Sequence, residues 1–359
     1  MKHKIRINII FPYNSVGGAF RSTYEIANRL KKLDYDVIVY FPFFPIMDEY
    51  KKISFSSINY FLRGILRSLI RRNKIFWFDC NFDIKLIPYI NRKFIKDADF
   101  VVANHWLTAK PTYLLPRSKG KKFYFIRDIE QWAPYYEKEK EVFKLDMKRL
   151  VVADWIKVFL KNELNLETEE VITNGFNFSN FSVPHKNFNN KLITISMIFS
   201  NHPMKDANSG AKVLKKIKKR FPDIKIILFG FERRPKNLGF DFEYIRGAAG
   251  EKVKEIYAQT DIFFCPSIQE GFHNPPSEAM AAKCAVLATS VGSVPYTIKN
   301  MENGIVVNSK DIDSMVQNMA LLITDKSLRI SLSEAGFLSI QSLTWDKSIQ
   351  KLDNLFKKI

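Results

Sequence analysis

Short apolar runs alternate with helix-period segments along the whole chain, and that alternation leaves few folds open. Residues 5–11, 37–41, 100–103 and 122–126 read as strands, with helical patterns over 20–33 and 147–162 and a further strand at 170–172. After a polar stretch the pattern resumes. Strands are expected at 192–199, 224–230, 242–246, 262–265 and 285–289, interleaved with helices at 207–221, at 250–260 and from 276. Further helices close the chain, the last over 345–358. Such strands lie between helices and are apolar on both faces, which predicts an α/β fold with mainly parallel sheets. At 359 residues the chain suits two domains of roughly 150–200 residues each. The expected division is 1–180, a linker at 181–190, 191–340, and a final helical segment at 341–359. An apolar content of 46% supplies two cores and argues against general disorder.

The most informative segment follows the run 262–265. Glu270 lies where a strand end turns into a helix, and Glu278 opens that helix; Gly271 stands at the bend, with Pro275 and Pro276 before the helix. Strand ends that open into helix N-termini hold nucleotides and phosphates in α/β folds. A carboxylate there can accept hydrogen bonds from both hydroxyls of a ribose or from a sugar ring. Two surface glutamates favoured by a helix dipole would read the same way in isolation. The neighbours set this segment apart: Asp261, Pro266-Ser267, Ala279-Met280-Ala281-Ala282, and a second loop from Thr289 to Pro295.

Together, residues 256–308 resemble the donor half of family-4 glycosyltransferases, retaining enzymes of the GT-B type. The resemblance implies two Rossmann-like doubly wound domains facing a central cleft, with the final helix crossing back to the N-terminal domain. It implies that Glu278 binds the ribose and Glu270 sits beside the donor sugar. The amides of Gly271 and Phe272 would touch sugar hydroxyls or phosphate, and Val294 would belong to the donor site through the second loop. His202-Pro203-Met204-Lys205 follows the strand 192–199, where a lysine can neutralise a departing diphosphate. The family carries an arginine about five residues before this lysine; here that place holds Ser200. Either His202 or Arg246 is expected to substitute, or Lys205 works alone with backbone amides.

Gly17-Gly18 lets the backbone approach a ligand at a helix start, and the family's glycine pair faces the diphosphate and acceptor. His105, after the strand 100–103, matches a family histidine close to the donor sugar. Arg127, Asp128, Glu130 and Trp132 could grip an acceptor saccharide or form an internal ion pair. With Phe125 before it, this cluster resembles a bacterial subgroup that includes rhamnosyltransferases of cell-surface glycan assembly. Residues 51–75 carry seven Lys or Arg and no acid, with an apolar stripe flanked by Arg63, Arg67 and Arg71. A helix there fits an anionic membrane surface or the face of its own domain equally.

The expected partners are therefore a nucleoside-diphosphate sugar and a glycan or lipid-linked acceptor. The net charge of +19 is spread along the chain, so no nucleic acid is expected. No metal or other cofactor is expected, because Lys205, helix N-terminal dipoles and loop amides would stabilise the leaving diphosphate instead. Cys80, Cys265 and Cys284 have no metal-type spacing and read as thiols in a reducing compartment. With neither a signal peptide nor an apolar span legible, a cytoplasmic place is expected, peripheral at the membrane if 51–75 binds lipid. A noncatalytic basic adaptor on the same fold, or a sugar-nucleotide epimerase, would be the other functions. The epimerase class lacks the Glu270–Glu278 loop.

Overall fold

The computed structural model describes residues 4–13, 17–42, 75, 78–183, 186, 188 and 192–359. The basic segment 51–75, Ile75 aside, lies outside the described residues. The chain forms two compact units, Met1–Asn174 with Trp345–Ile359, and Gly175–Thr344.

The first unit is built on seven parallel strands: β1 (Arg6–Ile10), β2 (Asp36–Pro42), β3 (Asp83–Ile87), β4 (Phe100–Ala103), β5 (Lys121–Ile126), β6 (Lys148–Val151) and β7 (Glu170–Val171). Their order is β3-β2-β1-β4-β5-β6-β7. The chain direction across the sheet therefore reverses between β1 and β4, where doubly wound folds place ligands. Helices α1 (Gly18–Lys32), α2 (Trp106–Tyr113), α3 (Tyr136–Phe143) and α4 (Asp154–Leu164) connect the strands. One expectation fails here. The helical pattern over 147–162 divides into β6 and α4, because β6 pairs with β5 and β7 and Ala153 is extended at the helix start. Pairing with neighbouring strands overrides a local helix period.

The last element also belongs to this unit. On it, Phe356 stacks on Phe100 at 4.7 Å and meets Phe123 edge-on at 5.7 Å. Asp353 accepts a 2.7 Å hydrogen bond from the Tyr35 hydroxyl, and Ser348 Oγ donates to Thr173 O at 2.7 Å.

In the second unit six parallel strands run in the order β10-β9-β8-β11-β12-β13. They are β8 (Thr194–Ile198), β9 (Lys225–Gly230), β10 (Glu243–Arg246), β11 (Ile262–Cys265), β12 (Ala285–Thr289) and β13 (Ile305–Val307). The helices are α5 (Ala207–Arg220), α6 (Glu251–Gln259), α7 (Asn274–Ala281), α8 (Val294–Thr297), α9 (Ile312–Thr324) and α10 (Lys326–Ile340), with α11 (Trp345–Lys358) the returning helix described above. The period-2 alternation of strands divides β11 between two cores: Ile262 and Phe264 join one cluster, Phe263 and Cys265 the other. Val213, Leu214 and Ile217 of α5 cover the first face, and Tyr257 of α6 with the alanines of α7 cover the second. Phe181 is buried in that second cluster, which ties the beginning of the expected linker to this unit.

Candidate functional site

The strongest constellation lies in the second unit, where its strand order reverses between β8 and β11. A short turn, Pro203–Lys205, follows β8 and brings Lys205 to the sheet edge beside the loop after β11. Lys205 Nζ lies 2.6 Å from Glu270 Oε1, and Ser267 Oγ donates to the same oxygen at 2.8 Å. His273 Nδ1 is 3.1 Å from that oxygen too. Among the described residues every partner of Glu270 falls on Oε1. Burial acts to raise this carboxyl's pKa, yet His273 and Lys205 outweigh it and hold Glu270 well below the usual carboxylate range.

His273 caps the start of α7 with φ 75° and ψ 70°, a left-handed conformation uncommon for any residue but Gly. Its side chain is fully buried. The backbone here is clamped from the second loop: Ser293 N donates to Phe272 O at 2.6 Å, and Gly292, at φ 60°, passes so close that a Cβ would lie 2.8 Å from Phe272 O. Only glycine fits that approach. Burial lowers the His273 pKa most strongly, but Cys265 and Glu270 oppose it and bring it up to about 9. We attribute the direction to the Glu270 carboxylate. His202 behaves oppositely: burial and the Lys205 ammonium lower its pKa, against the opposing pull of Glu270.

The remaining donor-site expectations divide. Glu278 lies on α7, and Tyr257, fully buried beneath it, gives its hydroxyl to Glu278 Oε2 at 3.4 Å. Gly271 and Phe272 are buried directly after Glu270. Val294 turns its side chain into the core, and its amide donates to Val291 O. Arg246, at the end of β10, is exposed, with Nε 3.5 Å from Phe231 O. Ser200, at the family's arginine place, donates to Glu232 Oε1 at 2.9 Å, and Asn201 N donates to the same oxygen at 3.1 Å. That serine therefore anchors the loop leading to Lys205.

In the first unit, Gly17 and Gly18 stand at the start of α1, after β1. His105 caps α2; its Nδ1 accepts from Leu107 N at 3.2 Å, so the neutral ring carries its proton on Nε2. Arg127, at the end of β5, lies over its neighbour Phe125 at 3.8 Å. It donates to Thr23 Oγ1 at 2.6 Å, Ser22 Oγ at 3.1 Å, Asn174 Oδ1 at 3.3 Å and Asn104 Oδ1 at 3.4 Å. These partners are all neutral, and among the described residues no carboxylate accepts a hydrogen bond from Arg127. Burial lowers the Arg127 pKa to about 9, which leaves the guanidinium charged at neutral pH. Asp128 Oδ1 accepts from Ile129 N at 2.8 Å, Glu130 takes the Tyr135 hydroxyl, and Trp132 is exposed. Glu139 is a buried carboxyl missed by sequence reasoning. Its Oε2 accepts from Glu130 N at 3.1 Å, and burial with help from Glu130 and Asp128 raises its pKa to about 8.

Residues 180–338 match the family described as "Glycosyl transferases group 1". The chain is 28% identical over 106 residues to a D-inositol 3-phosphate glycosyltransferase of Corynebacterium aurimucosum, covering 30% of this chain and 25% of the relative. It is 33% identical over 90 residues to the lipopolysaccharide core biosynthesis mannosyltransferase LpcC of Rhizobium leguminosarum bv. viciae, covering 25% of this chain and 26% of that protein. The chain thus spans about a quarter of the length of these curated relatives. Among solved structures it resembles Anabaena Alr3699/HepE in complex with UDP-glucose, with TM-score 0.76, 12% identity and coverage of 99% of this chain and 100% of that one. At that identity the likeness speaks for the fold, which is of the GT-B type with two parallel sheets. The family match covers residues 180–338, which lie within the second unit, Gly175–Thr344.

Proposed function

We propose that this chain is a retaining, metal-independent glycosyltransferase that moves a sugar from a nucleoside diphosphate to a saccharide or lipid-linked acceptor in bacterial surface polysaccharide synthesis. The observation that carries this reading is the Lys205–Glu270 pair, 2.6 Å apart at the strand-order reversal of the family-matched unit. The relative LpcC, named for lipopolysaccharide core biosynthesis, supports the product class, and the UDP-glucose held by the neighbour HepE supports the donor class.

In this scheme the bond between the anomeric carbon and the diphosphate oxygen breaks, and a bond to the acceptor oxygen forms on the same face. The acceptor proton passes to the departing diphosphate. Lys205 stabilises the charge that builds on that leaving group. Glu278, oriented by Tyr257, takes the ribose hydroxyls, and Glu270 receives a hydroxyl of the sugar. Roles for His105, Gly17 and Gly18 beside the donor, and for Arg127, Asp128, Glu130 and Trp132 toward the acceptor, belong to the same proposal. So does a place at the inner face of the cell membrane. Among the described residues no helix is long and apolar enough to cross a membrane.

The reading is tested with UDP-, GDP- and dTDP-sugars in EDTA, by thermal shift and by donor turnover. One nucleotide class is expected to stabilise the protein and to lose that effect in Glu278→Ala. Lys205→Ala is expected to lower turnover roughly 10²–10³-fold. Wild-type turnover in Lys205→Ala would sink the phosphate role.

A further inference from the structure

Lys205 poses a charge problem. Its ammonium lies 2.6 Å from a carboxylate that is itself ionised, so the two charges largely cancel toward anything beyond them. A neutral pair is a poor receptor for a diphosphate. His202 does not correct the balance, since its pKa is lowered and its ring is neutral at pH 7. Arg246 is exposed, with Nε 3.5 Å from Phe231 O.

On the other side of that carboxylate stands the buried His273, with Nδ1 3.1 Å from the same Glu270 Oε1. It occupies a left-handed backbone position that favours glycine, and its side chain is wholly buried. Neither ring nitrogen makes a well-aligned hydrogen bond. An imidazole kept in such a place at a cost in strain and polar satisfaction calls for an explanation. Nδ1 approaches Glu270 Oε1 at 3.1 Å, and with poor hydrogen-bond alignment the tie is one of charge. The titratable groups that face it are Glu270, the Cys265 thiol beneath it on β11, and Lys205 across the carboxylate.

We propose that His273 is a positioning residue of the donor site: as a buried imidazolium it gives the Lys205–Glu270–His273 cluster a net positive charge, and it holds Glu270 by Oε1 so that Oε2 is presented to the donor sugar. The proposal rests on the nucleotide-sugar reading above. Its consequence is a donor affinity that falls as pH rises through about 9, where the ring loses its proton. At pH 7, about two units lower, the charge is almost fully present.

The first test needs no ligand and no variant. In a 1H–13C NMR titration of the wild-type protein, one of the five histidine imidazoles is expected to titrate near pH 9. If all five titrate below pH 7.5, the proposal is overturned, whatever the enzyme's substrate. The second test uses His273→Asn, because asparagine enters the left-handed region and remains a hydrogen-bond donor but carries no charge. With UDP, GDP and dTDP as probes by calorimetry from pH 7 to 10, the variant is expected to bind about tenfold more weakly at pH 7. It should also lose the wild-type decline near pH 9. Equal affinity with an unchanged pH profile would overturn the positioning role. Absence of binding by wild type to all three nucleotides would instead sink the nucleotide-sugar reading, and the NMR titration would still decide the charge of His273.

Discussion

Arg127 carries a buried charge held by neutral oxygens and the Phe125 ring, and its four hydrogen bonds join α1 to the segments after β4 and β7. Arg127→Met would remove its hydrogen bonds to Ser22, Thr23, Asn104 and Asn174, a loss of about 2–3 kcal/mol in urea unfolding. Arg127→Lys should not restore it, since an ammonium cannot reproduce the planar fork. An unchanged midpoint in the methionine variant would mean that these loops are held by other contacts. Glu139 gives the complementary prediction. Its folded pKa of about 8 lies above the ordinary 4.5, so the native state keeps a proton that the unfolded state releases. Stability from this group therefore falls as pH rises between those values, by at most about 1.4 kcal/mol per pH unit. Unfolding of Glu139→Gln at pH 5 and pH 8 should show that slope flattened relative to wild type. The sequence displayed Lys205, Glu270 and Glu278 because strand, bend and helix chemistry surround them. It did not display the roles of His273 or Glu139, which depend on which side chain folds back onto which carboxylate.

At the scale of elements, the strands with continuous apolar runs were legible: β4, β11 and β12 stand where the sequence analysis put them. β3, β6 and β13 were not. Lys148–Val151 offers two basic residues before Leu150 and Val151, and only its place between β5 and β7 makes it a strand. α2 was hidden by Pro111 in its interior. The returning helix α11 depends on a few aromatic contacts, with Phe356 between Phe100 and Phe123. Phe356→Ala should cost the first unit about 3–5 kcal/mol, measured by urea unfolding. A loss under 1 kcal/mol would show that α11 contributes little to this core.

For the whole molecule, the two-unit pattern was readable from alternating strands and helices, whereas the boundaries depend on packing. Gly175–Thr344 forms one compact unit, with both faces of its sheet covered by its own helices. Expressed alone, residues 175–344 should unfold cooperatively, with near-ultraviolet dichroism of a fixed core. Residues 1–174 alone should not, because their unit includes Trp345–Ile359. Independent cooperative unfolding of 1–174 would contradict this. The return of α11 also orders events during synthesis. A ribosome makes most of the first unit, then the entire second unit, and only afterwards the helix that covers Phe100 and Phe123. Through that interval the nascent first unit presents an uncovered aromatic strip, the kind of surface that chaperones hold. The speed at which the second unit is translated thus becomes a determinant of how safely the first one matures.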